Sequence, residues 1–257
     1  MDFLSAIVLG LVEGITEFLP VSSTGHLILF NAWFSFAPEF TKMFDIVIQL
    51  GAILAVVVVF WKRFLPRVSS NRELWKRVII SVLPALVFGA LFGSKIQAVL
   101  FHPIVVAIAL IIGGGVLLFA ERLHRTTNVI DEKKMSYGKA FAVGCIQCLA
   151  FIPGVSRSAA TIVGAMMLGV SRSSAAEYSF FLAVPTLLAA SGYAILKNPI
   201  VLNSYDISIL LMGFVVAFLS ALIVIRLFLG YIRTKTFAPF AYYRILLGTA
   251  ILLFFYV

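Results

Sequence analysis

Long apolar runs alternate along the chain with short polar stretches that are mostly basic. The runs near 46–61, 78–92, 103–120, 207–225 and 245–257 come close to the roughly 20 residues a helix needs to cross a bilayer. They are continuously apolar rather than alternating, so the pattern predicts helices and excludes a membrane barrel. Threading the runs between the polar stretches predicts six spans, at 43–61, 77–94, 101–120, 177–196, 207–229 and 241–257. Two further stretches, 3–40 and 138–175, are interrupted near their middles by Pro, Gly, Ser and charged residues. Each must start and finish on one side of the membrane for the loop charges to agree. Both therefore read as re-entrant hairpins, which survive at membrane depth only where protein or a polar cavity shields them. The expected fold is an all-α polytopic membrane protein, with six transmembrane helices plus two re-entrant helical hairpins in one membrane domain over 1–257.

The two interrupted stretches resemble each other at a constant offset of 134. Gly10 pairs with Gly144, Glu13 with Gln147, Val21 with Val155 and Ser22 with Ser156. Each half reads as one hairpin followed by three spans, the first hairpin entering from outside and the second from inside. This predicts an inverted-topology repeat, 1–125 against 138–257, with a site near the midplane where the interrupted segments meet.

Composition narrows the picture. Of 257 residues 62% are hydrophobic and 12% charged, about half the charge of a soluble domain, so the chain could not cover a water-facing surface. The net charge of +9 does not call for a nucleic-acid partner, because the cations are confined to loops. Lys62, Arg63, Arg67, Arg72, Lys76 and Arg77 lie in one, Arg122, Arg125, Lys133, Lys134 and Lys139 in a second, Arg233 and Lys235 in a third. That distribution places these loops in the cytoplasm and both termini outside. Cys145 and Cys148 form a C-x-x-C on an apolar helical stretch, where packing is the expected role rather than redox chemistry. The sequence has no Walker motif and no clustered Cys/His set, so neither a nucleotide nor a tight zinc site is expected.

Polar chemistry concentrates at the two interruptions. In the first, Glu13 and Glu17 are four apart and share a helix face. Pro20 should end that helix, and Ser22, Ser23 or Thr24 can cap the next, with Gly25 and His26 in its first turn. Ser23 and His26, three apart, are expected to be adjacent. Two carboxylates inside a membrane are costly unless they share a proton or cation or face a wet cavity. The second interruption carries Gly154, Ser156, Arg157, Ser158 and Thr161. A serine-capped helix N-terminus with an arginine fork suits an anion, phosphate above all. Pairing of Arg157 with Glu13 or Glu17 across the repeat is the structural alternative, and an anion could displace one such contact. Asp45 and Gln49 share a face at the outer end of the first full span, where they would line an entrance. Glu177 and Arg244 fall near inner span ends, where snorkelling or a structural ion pair is expected. His102 and His124 read as loop residues.

The stretches Glu13-Gly-Ile-Thr-Glu17-Phe-Leu-Pro-Val-Ser-Ser-Thr-Gly-His26 and Pro153-Gly-Val-Ser-Arg-Ser-Ala-Ala-Thr161 resemble the undecaprenyl-diphosphate phosphatase family of bacterial membranes, the bacitracin-resistance type. The run 44–52 and the closing Tyr243-Arg244 add to the likeness, which extends along the whole chain. The resemblance implies hydrolysis of a C55 polyprenyl diphosphate to the monophosphate and inorganic phosphate, in the inner membrane, recycling the lipid carrier for peptidoglycan and conferring bacitracin tolerance. It implies functional roles for Glu13, Glu17, Ser23, His26 and Arg157, with the neighbouring hydroxyls binding substrate. Either Ser23, activated by His26, or His26 itself would be the nucleophile. Glu13 and Glu17 would hold a divalent cation, Mg²⁺ or Ca²⁺, together with the substrate diphosphate, or position water and His26. The competing class is a polyprenyl-phosphate flippase using the same repeat. The partners expected are the lipid substrate and membrane lipids, and the sequence allows a homodimer without requiring one.

Overall fold

The apolar runs form helices at every predicted place in the computed structural model, which describes residues 1–33, 37–65, 69–100, 102–123, 131–197 and 201–256. Arg67, His124 and Arg125 lie outside the described residues. The α-helices are α1 (Phe3–Thr16), α2 (Ser23–Trp33), α3 (Pro38–Val59), α4 (Ser69–Leu100), α5 (Pro103–Leu123), α6 (Tyr137–Gln147), α7 (Arg157–Met167), α8 (Arg172–Lys197), α9 (Ser204–Ile232) and α10 (Ala238–Tyr256). Among the described residues six are long and apolar enough to cross a membrane, α3, α4, α5, α8, α9 and α10. The chain is a multi-pass helical membrane protein.

The remaining four helices are two broken pairs, α1–α2 and α6–α7. Asp2 caps the first of them, its Oδ1 accepting from the Ser5 amide at 2.8 Å. Pro20 bars α1 from continuing, having no amide proton to donate. On the other side a single 3₁₀ turn, Cys148–Phe151, ends α6. The chain then re-enters a helix through a serine in each case, and both serines hold positive φ, 71° at Ser22 and 72° at Ser156. Such backbone costs a non-glycine residue about 1–3 kcal/mol. Each is offset by a cap: Ser22 Oγ accepts from the Gly25 amide at 3.3 Å and Ser156 Oγ from the Ala159 amide at 3.2 Å.

Helices α1 to α5 begin at residues that recur, within one position, 134 residues later as the starts of α6 to α10. The halves do not pack as separate bodies. Helix α1 lies on α9, and α6 reciprocally on α4, while α3 contacts α8 and α9, and α5 pairs with α10. Phe18, Phe44, Tyr178, Phe180, Phe181 and Phe237 are buried between them. Leu91, Ile112, Leu196, Leu227 and Leu246 are exposed, as expected where lipid is the solvent.

Several ion pairs join residues at and beside the predicted cytoplasmic loops. Arg63 reaches Glu132 at 3.1 Å and Glu177 at 3.3 Å, the structural pair expected of Glu177. Arg172 binds Glu121 through two nitrogens, at 2.6 and 2.9 Å. Arg244 departs from expectation. It neither snorkels nor pairs with a carboxylate but is fully buried, because α10 crosses α5 where Gly113 leaves room for its guanidinium.

Candidate active site

The turns of the two broken pairs meet inside the bundle around a cavity of about 140 Å³. The first turn contributes Glu17, Ser22, Ser23 and Thr24, the second Pro153, Gly154, Ser156 and Arg157, and α3 contributes Gln49. Gly154 makes the close approach: its φ is +92°, and a Cβ there would press on the backbone of Val106.

Glu17 joins the two turns. Its Oε2 accepts from Ser23 Oγ at 2.6 Å and its Oε1 from Arg157 Nη2 at 2.8 Å. Ser23 and Arg157 are the first residues of α2 and α7, so equivalent helix starts hold opposite oxygens of one carboxylate. A second link runs from Ser158 Oγ to the Leu19 carbonyl at 2.7 Å. Arg157 is aimed from behind, Nη1 donating to the Ser179 carbonyl at 3.0 Å and its hydroxyl at 3.3 Å, with Thr161 Oγ1 donating to Ser179 Oγ at 2.7 Å. Arg157 Nε and Glu13 Oε1 are among the buried polar atoms that have no hydrogen-bond partner in the described residues. An open donor on a residue that lines the cavity, and an open acceptor one helical turn before Glu17, fit a ligand with anionic oxygens and a proton or cation.

Of the residues singled out from sequence, Glu17, Ser22, Ser23, Thr24, Gln49, Gly154, Ser156 and Arg157 line the cavity. Ser158 and Thr161 are buried behind it as supports, the Gly25 amide caps onto Ser22, and Glu13 is buried one turn before Glu17. Asp45 does not line the cavity and accepts from Asn31 at 3.4 Å.

His26 requires a correction, since it is not bonded to Ser23. Its Nδ1 lies 2.8 Å from the Ser22 carbonyl and its Nε2 lies 2.6 Å from the Tyr243 hydroxyl. A carbonyl can only accept, so Nδ1 carries a proton, and in the neutral ring Tyr243 donates to Nε2. One helical turn did bring position 26 beside the serines, but on the face of α2 turned to α10.

The expected cation can be tested against these contacts. Among the described residues no three His, Cys, Asp or Glu side chains gather as a metal site. A Mg²⁺ that keeps waters and substrate phosphates needs only one or two carboxylates. Glu13 fits with its open Oε1, and Glu17 fits once Arg157 has released it. Ser179 and the parts played by Tyr243 and Arg244 escaped sequence reasoning. A single serine in an apolar helix carries no pattern, although the Gly113-Gly114-Gly115 run opposite Arg244 hinted at a close approach.

Comparison with known proteins covers nearly the whole chain. The family model of the bacitracin resistance protein BacA matches residues 6–250. The undecaprenyl-diphosphatase of Rhizorhabdus wittichii is 50% identical over 98% of this chain and 97% of its own. That of Flavobacterium psychrophilum is 47% identical over 98% and 96%, and that of Variovorax paradoxus 47% over 96% and 93%. With its cavity built from the two segments most distinctive in the sequence, and a match of this length, the chain belongs to the bacitracin resistance protein BacA family.

Proposed function

We propose that the chain hydrolyses undecaprenyl diphosphate to undecaprenyl phosphate and inorganic phosphate, recycling the lipid carrier for cell-wall synthesis and conferring bacitracin tolerance. The observation that carries this reading is the Ser23–Glu17–Arg157 chain of contacts, a hydroxyl, a base and a phosphate-binding cation linked through one carboxylate. While Arg157 holds Glu17, one of the two carboxylate oxygens is engaged by the guanidinium. An entering diphosphate competes for the guanidinium and engages the open Nε and the free amides at the starts of α2 and α7. Glu17, released, then takes the proton of Ser23 Oγ. Ser23 Oγ attacks the terminal phosphorus, the P–O bond to undecaprenyl phosphate breaks, and a phosphoserine is left for water to hydrolyse. Arg157 and the amides stabilise charge on the transferring group. His26, held between Ser22 and Tyr243, is the less suited nucleophile.

Glu13 would hold a divalent cation together with the substrate phosphates, which would neutralise diphosphate charge while Glu17 serves as the base. The two broken helix pairs act as re-entrant hairpins of an inverted repeat, a reading supported by the matched helix starts and the reciprocal packing of α1 on α9 and α6 on α4. The protein resides in the bacterial inner membrane with its basic loops cytoplasmic and both termini outside. A lipid transporter on the same frame would leave the Ser23–Glu17 pair without a task. The deciding experiment is phosphate release from undecaprenyl diphosphate by purified protein in detergent, without any gradient and with and without chelator. Activity in wild type that is lost in Arg157→Ala is expected; a wild type that releases no phosphate defeats the reading.

A further inference from the structure

We propose that Tyr243 and Arg244 of α10 are positioning residues that shape the phosphate site from behind, by drawing the carbonyls of both turns away from the cavity. The proposal deepens the phosphatase reading and rests on it for its kinetic readout. Neither residue lines the cavity. Arg244 is 0% exposed and all its hydrogen bonds run to backbone oxygens. Nη1 donates to Pro20 O at 3.1 Å. Nη2 donates to Gly154 O and Val155 O, each at 3.0 Å, and to Ala109 O at 3.3 Å. Nε donates to Leu110 O at 3.4 Å. Tyr243 makes the same kind of contact one step removed, through His26 to Ser22 O. Four carbonyls, at 20, 22, 154 and 155, are thus tied to one helix, two from each interruption.

The consequence follows from peptide geometry. In a trans peptide the C=O and N–H point in opposite directions. Val155 O held on Arg244 therefore turns the Ser156 amide away from the guanidinium. Non-helical turns leave carbonyls that no helix satisfies, and any of these swung into the cavity would present a negative dipole end to a phosphate. A buried cation without a carboxylate partner would be costly as mere packing, whereas these turns supply it with oxygens and gain a fixed polarity in return. Arg157 attracts the anion; Arg244 and Tyr243 remove what would repel it.

Three variants test this. Tyr243→Phe deletes only the hydroxyl, and should lower kcat/KM about tenfold, the scale of one lost hydrogen bond. Arg244→Lys keeps the charge but cannot reach both turns with one ammonium, and should lose about 10²-fold, as for a misplacement near 1 Å. Gly113→Ala changes neither residue, but its Cβ would overlap Arg244 Nη2 and lie 2.8 Å from Cζ, so the guanidinium must shift. It should fall between the other two. All three should weaken binding of inorganic pyrophosphate, read as its shift of the thermal midpoint and as competitive inhibition. Monodisperse variants with wild-type kcat/KM and pyrophosphate binding, altered only in their own midpoint, would overturn the proposal. If Arg244→Lys does not fold, Tyr243→Phe and Gly113→Ala carry the decision. A wild type that binds pyrophosphate but releases no phosphate would sink the phosphatase reading while the pyrophosphate measurement still judges the clasp.

Discussion

Glu17 divides its two oxygens between a hydroxyl at 2.6 Å and a guanidinium at 2.8 Å, and the chemistry proposed turns on that division. Glu17→Gln keeps the shape but cannot accept a proton, so kcat should fall about 10²–10⁴-fold with substrate binding retained. Retained turnover in that variant would remove Glu17 as base. Arg157→Lys loses the fork that reaches Ser179 and Glu17 together, and should cost about 10²–10³-fold in kcat. Rapid quenching with labelled diphosphate should trap phosphate on Ser23 in wild type and nowhere in Ser23→Ala; label on His26 would reverse the assignment. At this scale the sequence was informative about which residues but not about which pairs. A spacing of three puts Ser23 and His26 side by side on a helical wheel, yet the partner His26 finds is Tyr243 of α10, far away in sequence. A link from Arg157 to Glu13 or Glu17 was foreseeable from charge alone, since a buried ion needs a partner; which of the two it would be was not, and the structure pairs it with Glu17.

The strained serines belong to the scale of elements. Ser22 and Ser156 sit at nearly the same φ and cap equivalent helices. Ser156→Gly keeps the backbone relaxed and loses a few tenths of a kcal/mol of capping, while Ser156→Ala loses the cap, about 1 kcal/mol, and keeps the strain. Thermal unfolding in detergent should therefore place Ser156→Ala below both wild type and Ser156→Gly. Equal midpoints for the two variants would mean the positive φ is not held in the folded protein. The spans were readable because uninterrupted apolar runs have one solution in lipid. Their starts were less so. Hydropathy sees α4 begin near 77, but the helix starts at Ser69, its polar first turns held by Glu73 with Lys76 at 2.8 Å and Arg77 at 3.2 Å. Helix α3 likewise starts at Pro38, where a missing amide costs nothing, rather than at the first apolar residue.

Across the whole molecule the basic loops define one side. Cysteines introduced at Lys62 and Lys235 in a chain freed of Cys145 and Cys148 should resist a membrane-impermeant thiol reagent in intact cells, while one at Asn203 should react. Labelling of all three, or of the first two only, would contradict the orientation proposed. The constant offset of 134 was visible in a handful of identities, and it carried through to every helix start. What it could not convey is that the halves exchange partners, because contacts between distant segments leave no mark in a local pattern.

That exchange bears on how the protein is made. Helix α1 rests on α9, which the ribosome reaches only after some two hundred further residues. The first segment must therefore wait in the membrane, its Glu13 and Glu17 without Arg157, until the late helices arrive. A nascent chain stalled before α9 should be recognised by quality-control proteases as unfinished, however completely its early spans have been inserted.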